Sequence, residues 1–473
     1  MAPTDDYAPS SCFGNLFSGF TKKKQPARRS VQAARTEHHS AAPSYYPATS
    51  EKLPAYDECV SKAFEQLDVK VDSETENIVA NAIDNVSDEL RTISLDLHEH
   101  METGMKEFHA HKLLTDYLEG KGFTVTRHAY GMETAFTAEY SNGPGKRIAF
   151  CSEYDGLPGL GQACGHNLIA ISGLAAAIGT KAVLDSGKAS GKVILYGTPA
   201  EELSIGKVIL CNKGVIQDNV DVALMLHPAA YHAERGAMIA VNDVRLEFFG
   251  KASHASAAPW EGVNALDAMV QVWNGISMMR QQLLPTDRVH GIVTDGGKAP
   301  NVIPDYTSAF FFVRTTKYPQ IGRLMHKMEE CFKAAALATG CEVKWTWREI
   351  GVTKDVVPNG PMADVYKRYM EKEGGIQFPS LAEQSNLGGG GTDFGNISYE
   401  VPSLHPMFGI HTTAANHTIQ FVGAAKTEVA HKDTILAAKA LTVTASRVLK
   451  DEGFYQAIKK DFENNVKSNN GAL

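Results

Sequence analysis

The stretch from Arg147 to Leu184, RIAFCSEYDGLPGLGQACGHNLIAISGLAAAIGTKAVL, indicates the fold class of this chain. Arg147–Cys151 is a short apolar strand, and Asn167 to about Leu184 is a long apolar helix, with a loop of polar residues between them. Further along, strands are predicted at Lys192–Tyr196 and Val220–Leu226, separated by a helical stretch. Strands that alternate with helices predict an α/β fold, with a mostly parallel sheet covered by helices on both faces.

Before this stretch, residues 75–121 are predicted to be helical, since apolar residues recur at three- and four-residue spacing. After it, the pattern changes near Asp243. Strands and helices then follow in the order β-α-β-β-α-β, which is typical of the ferredoxin-like split motif. After Pro358 the chain returns to helix, glycine-rich loop, strand and a final helix over about 427–450. The sequence therefore predicts one α/β domain interrupted by a smaller one, with a ligand cleft between them.

The domain boundaries follow from these changes in pattern. Residues 1–55 are rich in Ser, Ala, Pro and basic residues and are predicted to be a disordered tail. The α/β domain is predicted to comprise residues 56–242 and 353–465. The inserted domain is predicted at residues 243–352, and we call this segment the lid.

Composition excludes several classes of protein. The 473 residues are 43% hydrophobic and 21% charged, which is ordinary globular usage and argues against a fibre or a mostly disordered chain. No run of about 18 uninterrupted apolar residues occurs, so no membrane-spanning helix is predicted. The net charge of −8 argues against a nucleic-acid partner.

Cysteine usage and the N-terminal sequence bear on the compartment. Seven scattered cysteines do not form a disulfide framework, which favours reduced thiols and a cytoplasmic location. The apolar patch Cys12–Phe20 precedes its lysines, the reverse of the order in a secretory signal. A mitochondrial transit peptide is a weaker alternative, because Asp5 and Asp6 disfavour it.

Ligand-type side chains follow the predicted strand ends. The segments Glu153–Asp155, Cys164–His166, Glu201–Glu202 and His227 lie there, and His417 follows much later in the chain. The carboxyl ends of parallel strands meet at one crevice, and thiol, imidazole and carboxylate groups suit a divalent transition metal. Each residue alone has a structural alternative: a buried cysteine, a hydrogen-bonded histidine or a solvated glutamate pair. Their coincidence at one edge of the sheet favours a metal site.

Five strings in this chain resemble the M20 metallopeptidase and aminoacylase family, in particular its Cys-Gly-His amidohydrolase branch. They are EYDGLPGLGQACGHN, GTPAEE, LHP, KASHASAAPWEGVNALDA and GGKAPNVIPD. The segment GGTDFGNISYEVPSLHP, with the later NHT, is similar to the M20 domain-containing protein 2 group of dipeptidases. The resemblance covers residues 75–450. It implies a catalytic α/β domain, a lid that mediates homodimerisation, and two divalent metal ions, Zn²⁺ or Mn²⁺.

The resemblance also implies roles for particular residues. Glu201 would be the general base, and His254, in many relatives from the neighbouring subunit, would hydrogen-bond the substrate carbonyl. Asn301 and Arg314 would bind the substrate's carbonyl or carboxylate. Cys164 would bridge the two ions, and the remaining metal ligands would be His166, Glu202, His227 and His417.

Two points stay open at the level of sequence. Many M20 peptidases have His-x-Asp where this chain has Glu153–Asp155, so a metal contact by Glu153 is left open. His405 and His411 are alternatives to His417 as the last metal ligand, although the Asn-His-Thr context favours His417.

The expected function is hydrolysis of the amide bond of a dipeptide or N-acyl amino acid by a metal-activated water. Two alternatives remain. One is amide condensation at the same site, and the other is a metal-binding dimeric scaffold that has lost turnover.

Overall fold

A six-stranded sheet forms the centre of the α/β part of the protein. The computed structural model describes residues 72–203, 205–387 and 389–470, and the predicted tail, residues 1–55, lies outside the described residues. The strands are β1 (Thr124–Arg127), β2 (Phe136–Ser141), β3 (Lys146–Ser152), β4 (Gly191–Gly197), β5 (Val222–Leu224), β6 (His227–Ala229), β7 (Ala240–Phe249), β8 (Arg288–Asp295), β9 (Tyr306–Thr315), β10 (Glu342–Trp347), β11 (Ser403–Leu404) and β12 (Met407–Gly409). The central sheet has the order β1-β2-β4-β3-β5-β11. Strands β4, β3, β5 and β11 are parallel, whereas β1 and β2 form an antiparallel edge.

Helices cover both faces of this sheet. The helices of the described residues are α1 (Ser73–Asp84), α2 (Ser87–Glu99), α3 (Phe108–Gly120), α4 (His166–Asp185), α5 (Gly206–Asn212), α6 (Val215–Asn219), α7 (Ala265–Met279), α8 (Tyr318–Thr339), α9 (Gly360–Gly374), α10 (Leu381–Leu387), α11 (Phe394–Ser398), α12 (Ile419–Ala424), α13 (Glu428–Lys450) and α14 (Glu452–Asn470). Of these, α7 and α8 belong to the lid. Along β3, Ile148 and Phe150 belong to the apolar core that includes α4 and α13, whereas Ala149 and Cys151 belong to the core on the opposite face. This alternation is expected of a strand buried on both sides.

Helix α4 is the central helix of the larger core. It is long and apolar enough to cross a membrane by composition, but 83% of its most apolar window is buried inside the protein. Its neighbours include α1, α2 and α13. The helix is therefore the interior element around which the others pack.

The lid contains a second sheet. Strands β7, β8, β9 and β10 with α7 and α8 follow the order β-α-β-β-α-β, and the antiparallel sheet has the order β10-β7-β9-β8. Helices α7 and α8 share a core with this sheet that includes Phe248, Phe311 and Met328. The predicted fold class, an α/β unit interrupted by a ferredoxin-like unit, is confirmed. The boundaries 56–242, 243–352 and 353–465 stay predictions.

Two local predictions were incomplete. The helical stretch 75–121 is three helices, α1–α3, because the helix breaks at residues 85–86 and the chain forms a loop over residues 100–107. Strands β1 and β2 were missed, since β1 is only four residues long and lies at the half-exposed sheet edge.

Candidate metal centre

The parallel strands place the ligand-type segments at one edge of the sheet. Strand β3 ends at Ser152, directly before Glu153, and β4 ends at Gly197, shortly before Glu201. His227 begins β6, which follows β5 after two residues. The crevice at the carboxyl ends of these strands is where the sequence places its candidate ligands.

Gly165 turns the chain between Cys164 and helix α4. Its φ is +79°, and a Cβ at this position would lie 2.7 Å from Cγ of Pro228. Only glycine suits both the left-handed backbone and this close approach. The turn brings the Cys164 thiol and the His166 ring, at the first position of α4, to the same crevice.

Asp155 fixes two of the candidate ligands. Its Oδ1 lies 3.1 Å from Nδ1 of His166, and its Oδ2 accepts a hydrogen bond from the Glu202 backbone N–H at 3.0 Å. A carboxylate on one ring nitrogen of a histidine orients the other nitrogen and raises its basicity. Asp155 therefore leaves Nε2 of His166 as the atom available to a cation.

Two overlapping groups of side chains have the spacing of metal ligands. One comprises Cys164, His166 and His227, the other comprises Cys164, Glu202 and His417, and within each group the ligand atoms lie within 4.8 Å of one another. Sγ of Cys164 is 3.4 Å from Nε2 of His227, and Nε2 of His417 is 3.6 Å from Oε1 of Glu202. Because Cys164 belongs to both groups, it links the two sets of candidate ligands.

The unsatisfied polar atoms support the same arrangement. Nε2 of His166 and Oε1 of Glu202 are buried and form no hydrogen bond. Buried polar atoms without a partner are costly in a folded protein. The set of thiol, imidazole and carboxylate donors fits divalent zinc or manganese.

Burial sets the protonation of two candidate ligands. It raises the pKa of the Cys164 thiol to about 12, and it lowers the pKa of His227 to about 4. Near neutral pH His227 is therefore a neutral ring with a free lone pair. The Cys164 thiol keeps its proton until a cation displaces it.

Glu201 lies beside the ligands without belonging to either overlapping group. Its Oε2 is 3.8 Å from Nε2 of His166, and the residue is only 7% exposed. Burial, followed by the charges of Glu153 and Asp393, raises the pKa of Glu201 well above its ordinary value. A carboxyl group with a raised pKa, at the wall of a cleft, is suited to exchange protons with a substrate.

A fully buried lysine forms ion pairs close to the candidate ligands. Nζ of Lys207 is 2.6 Å from Oε1 of Glu153 and 2.6 Å from Oδ1 of Asp393, and all three side chains are inaccessible to solvent. The other oxygen of Glu153 is 3.4 Å from Nε2 of His166. Glu153, His166 and Glu201 also form a group with metal-ligand spacing. Whether or not Glu153 contacts a metal ion, one oxygen of its carboxylate forms an ion pair with Lys207.

The cleft beside the metal site is shared between the α/β part and the lid. It has a volume of about 600 Å³, and its walls include Glu201, His417 and, from the lid, Arg314 and Phe312. The Arg314 guanidinium lies 5.8 Å from the Phe312 ring centre and makes one long hydrogen bond, 3.4 Å, to the Gly389 carbonyl. It remains available for an anionic group.

His254 and Asn301 lie together in the lid, outside this cleft. Both are exposed, and their segments are joined by a hydrogen bond from the Ala255 N–H to the Asn301 carbonyl at 3.0 Å. Nδ1 of His254 accepts the Ala257 N–H at 3.2 Å. The structure brings together the five predicted ligands, Glu201 and Arg314, but not these two residues of the same chain.

The two alternative histidines make other contacts, and one of them, His405, lies 5.7 Å from the His227 ring, centre to centre. His405 is buried, stacks on Phe394 at 5.2 Å and belongs to neither ligand group that contains Cys164. Nδ1 of His411 pairs with Oδ2 of Asp433 at 2.7 Å. Of the three, His417 is the histidine that groups with Cys164 and Glu202.

Four residues of the site were given no role by the sequence. They are Asp155, Lys207, Asp393 and Asn416, whose side-chain amide donates to the Cys164 and Pro228 carbonyls. Asp155 follows a strand end, as the predicted ligands do, and that position was a usable signal. Lys207 and Asp393 are 186 residues apart, and their pairing has no signature in linear order.

Comparisons with known proteins find relatives of this chain. A family model for the peptidase dimerisation domain matches residues 240–340. The Xaa-Arg dipeptidase of Mus musculus is 41% identical over 396 residues, covering 81% of this chain and 91% of the relative. One subunit of the p-aminobenzoyl-glutamate hydrolase of Escherichia coli (strain K12) is 26% identical over 437 residues, covering 77% and 90%. A dinuclear metal-binding peptidase of the M20 family from Bacillus subtilis superposes with a TM-score of 0.58 at 21% identity, covering 78% and 99%.

The fold and the site thus define a metal-dependent hydrolase that acts on amide bonds. Because the dipeptidase is 41% identical and the match covers most of both chains, this chain belongs to the M20 family of peptidases and amidohydrolases.

Proposed function

We propose that this protein hydrolyses the amide bond of a dipeptide or N-acyl amino acid whose product amino acid carries a free carboxylate. The observation that carries the proposal is the sharing of Cys164 between two groups of ligands, with Glu201 beside them at the wall of a cleft. The names of the relatives, a dipeptidase and an aminobenzoyl-glutamate hydrolase, favour this substrate class.

The cofactor would be a pair of divalent ions, Zn²⁺ or Mn²⁺. Cys164, His166 and His227 would hold one ion, and Cys164, Glu202 and His417 the other. When bound, such ions supply Lewis acidity, which lowers the pKa of a water molecule toward neutrality and polarises an amide carbonyl.

Glu201 would move the proton. It takes a proton from the attacking water and returns it to the nitrogen of the leaving amine, so that one carboxylate serves as base and then as acid. Burial raises the pKa of Glu201 well above its ordinary value, which makes its carboxylate a stronger base than that of an exposed glutamate.

Arg314 would hold the substrate's carboxylate. Its guanidinium can form two parallel hydrogen bonds to a carboxylate, a geometry that lysine lacks. The similarity to Xaa-Arg dipeptidases favours a basic residue at the carboxyl end of the substrate, such as arginine or lysine.

His254 and Asn301 would complete the site from a second copy of the chain. Both lie outside the cleft of their own chain, in the segment that matches a dimerisation domain. The lid also exposes large apolar side chains, among them Met278 and Ile292, which a partner would cover. In such a dimer, His254 donates a hydrogen bond to the oxyanion formed from the amide carbonyl.

A cytoplasmic location is part of the proposal. All five cysteines within residues 72–470 are free, which suits a reducing compartment.

The test is hydrolysis of a panel of dipeptides and N-acyl amino acids by chelated enzyme reloaded with zinc, manganese or cobalt. The proposal expects turnover only after reloading, and lower kcat/KM for dipeptides whose terminal carboxylate is amidated. Reloaded enzyme that binds metal but hydrolyses no member of the panel would favour the scaffold alternative.

A further inference from the structure

The residue before Glu201 has an unusual backbone. Ala200 has a φ of +60°, in the left-handed region, where the Cβ of an L-residue approaches the carbonyl oxygen too closely. Such a conformation persists only where the surrounding structure holds it. The contacts of Ala200 therefore decide where the Glu201 carboxylate points.

A buried glutamate from a distant loop holds this peptide. The Ala200 N–H donates to Oε1 of Glu107 at 2.9 Å, and the Met105 N–H donates to the same oxygen at 3.0 Å. The Thr134 hydroxyl donates to Oε2 at 2.6 Å, and Glu107 is fully buried. Both carboxylate oxygens thus accept hydrogen bonds, and these bonds hold the Glu107 side chain and the Ala200 N–H in fixed positions.

The loop that carries Glu107 also packs tightly against Ala200. A Cβ built on Gly104 would lie 3.0 Å from Cβ of Ala200. The loop also contacts the other catalytic segment, since the Gly156 N–H donates to the Glu102 carbonyl at 2.8 Å. Residues 102–107 therefore support both the turn before Glu201 and the turn after Asp155.

We infer that Glu107 is a positioning residue, which sets the orientation of Glu201 through the Ala200 peptide. The inference rests on the proposed function, in which Glu201 exchanges the proton. Glu202 is held separately, by the hydrogen bond from its N–H to Asp155. Loss of Glu107 should therefore displace the base and leave the metal ligands in place.

The experiment compares four variants of the full-length enzyme loaded with zinc. Glu107→Met keeps the side-chain length but removes the acceptor, and kcat should fall about 100-fold, as expected for a reacting group displaced by about 1 Å. KM and the metal content should not change. Glu107→Gln keeps an acceptor oxygen, so its kcat should stay within about fivefold of wild type.

The remaining two variants are a control and a rescue. Glu119→Met removes an exposed glutamate of α3 that accepts a hydrogen bond from Arg127 at 2.9 Å, and its kcat should be unchanged. Adding Ala200→Gly to Glu107→Met should restore kcat about tenfold, because glycine adopts positive φ without a Cβ clash.

Three results would overturn the inference: wild-type kcat in Glu107→Met, an equal loss in Glu107→Gln, or no rescue by Ala200→Gly. If Glu107→Met does not fold, Thr134→Val takes its place, since it removes the donor to Oε2. A lower kcat at constant KM in Thr134→Val would then support the inference, and wild-type kcat would refute it. Wild-type enzyme without hydrolytic activity would refute the proposed function as well, whereas active wild type with an unaffected Glu107→Met refutes only the role of Glu107.

Discussion

Replacing Lys207 by methionine should destabilise the protein strongly. The ammonium lies 2.6 Å from a carboxylate oxygen of both Glu153 and Asp393, and none of the three side chains reaches solvent. Methionine fills a similar volume but leaves two buried carboxylates without their counter-ion. Removing one partner from a buried ion pair costs about 3–5 kcal/mol, so a loss of that size in the free energy of unfolding is expected.

The loss should depend on pH. Burial is the main cause that raises the pKa of Asp393 to about 6, and Lys207 opposes it. Without the lysine, the pKa of Asp393 in the folded state rises further above its unfolded value of about 3.9. A carboxyl group with a raised folded pKa binds more protons in the folded state, so its penalty grows as pH rises and disappears below the unfolded pKa. The deficit of Lys207→Met should thus be smaller at pH 5 than at pH 8.

The assay is urea unfolding of chelated wild type and variant at both pH values. Lys112→Met is the matched control, because Lys112 pairs with Asp116 at the surface, where the side chains are 74% and 48% exposed. An exposed pair contributes about 0–1 kcal/mol. A Lys207→Met variant no less stable than Lys112→Met, or a deficit that grows toward pH 5, would refute the assignment of Lys207 as the counter-ion of this cluster.

Three further predictions concern the site. Glu201→Gln should lower kcat about 10²–10⁴-fold while retaining both metal ions. Steady-state kinetics and metal analysis measure these two effects, and substantial residual turnover would show that the base is misassigned. Zinc binding should release the Cys164 proton at pH 7, since burial raises the pKa of this thiol to about 12. In a pH-indicator titration, Cys164→Ala should therefore release fewer protons per bound ion than wild type. Equal release would contradict the assignment of the thiol as a ligand. If each site takes His254 from the partner, mixing inactive Glu201→Gln and His254→Ala chains should restore activity in the mixed dimer. A mixture as inactive as its components would place His254 in the site of its own chain or outside catalysis.

The grouping of the candidate ligands was predictable because their positions follow from strand order. Cys164 and His166 flank a glycine directly before an apolar helix, and His227 follows a strand end. Parallel strands bring such positions to one edge whatever the remaining packing. His417 was the harder candidate to place, since it comes from a loop near the end of the chain. Its local Asn-His-Thr context favoured it over His405.

The contacts of the residues around the candidate ligands could not be predicted from the sequence. Glu107 lies within a stretch predicted as continuous helix, so the loop that carries it was missed. The pairing of Lys207 with Asp393 depends on tertiary packing that has no local periodicity. The separation of His254 and Asn301 from the cleft of their own chain likewise depends on where the lid lies, which linear spacing does not encode.

The central claim is that Cys164, with His166, Glu202, His227 and His417, holds a pair of divalent ions. The most direct measurement is a crystal structure of the full-length, zinc- or manganese-reloaded protein, with anomalous scattering recorded at the absorption edge of the metal. Our account predicts two anomalous peaks per chain, both in bonding contact with the Cys164 sulfur. A single ion, or ions bound away from that sulfur, would contradict it.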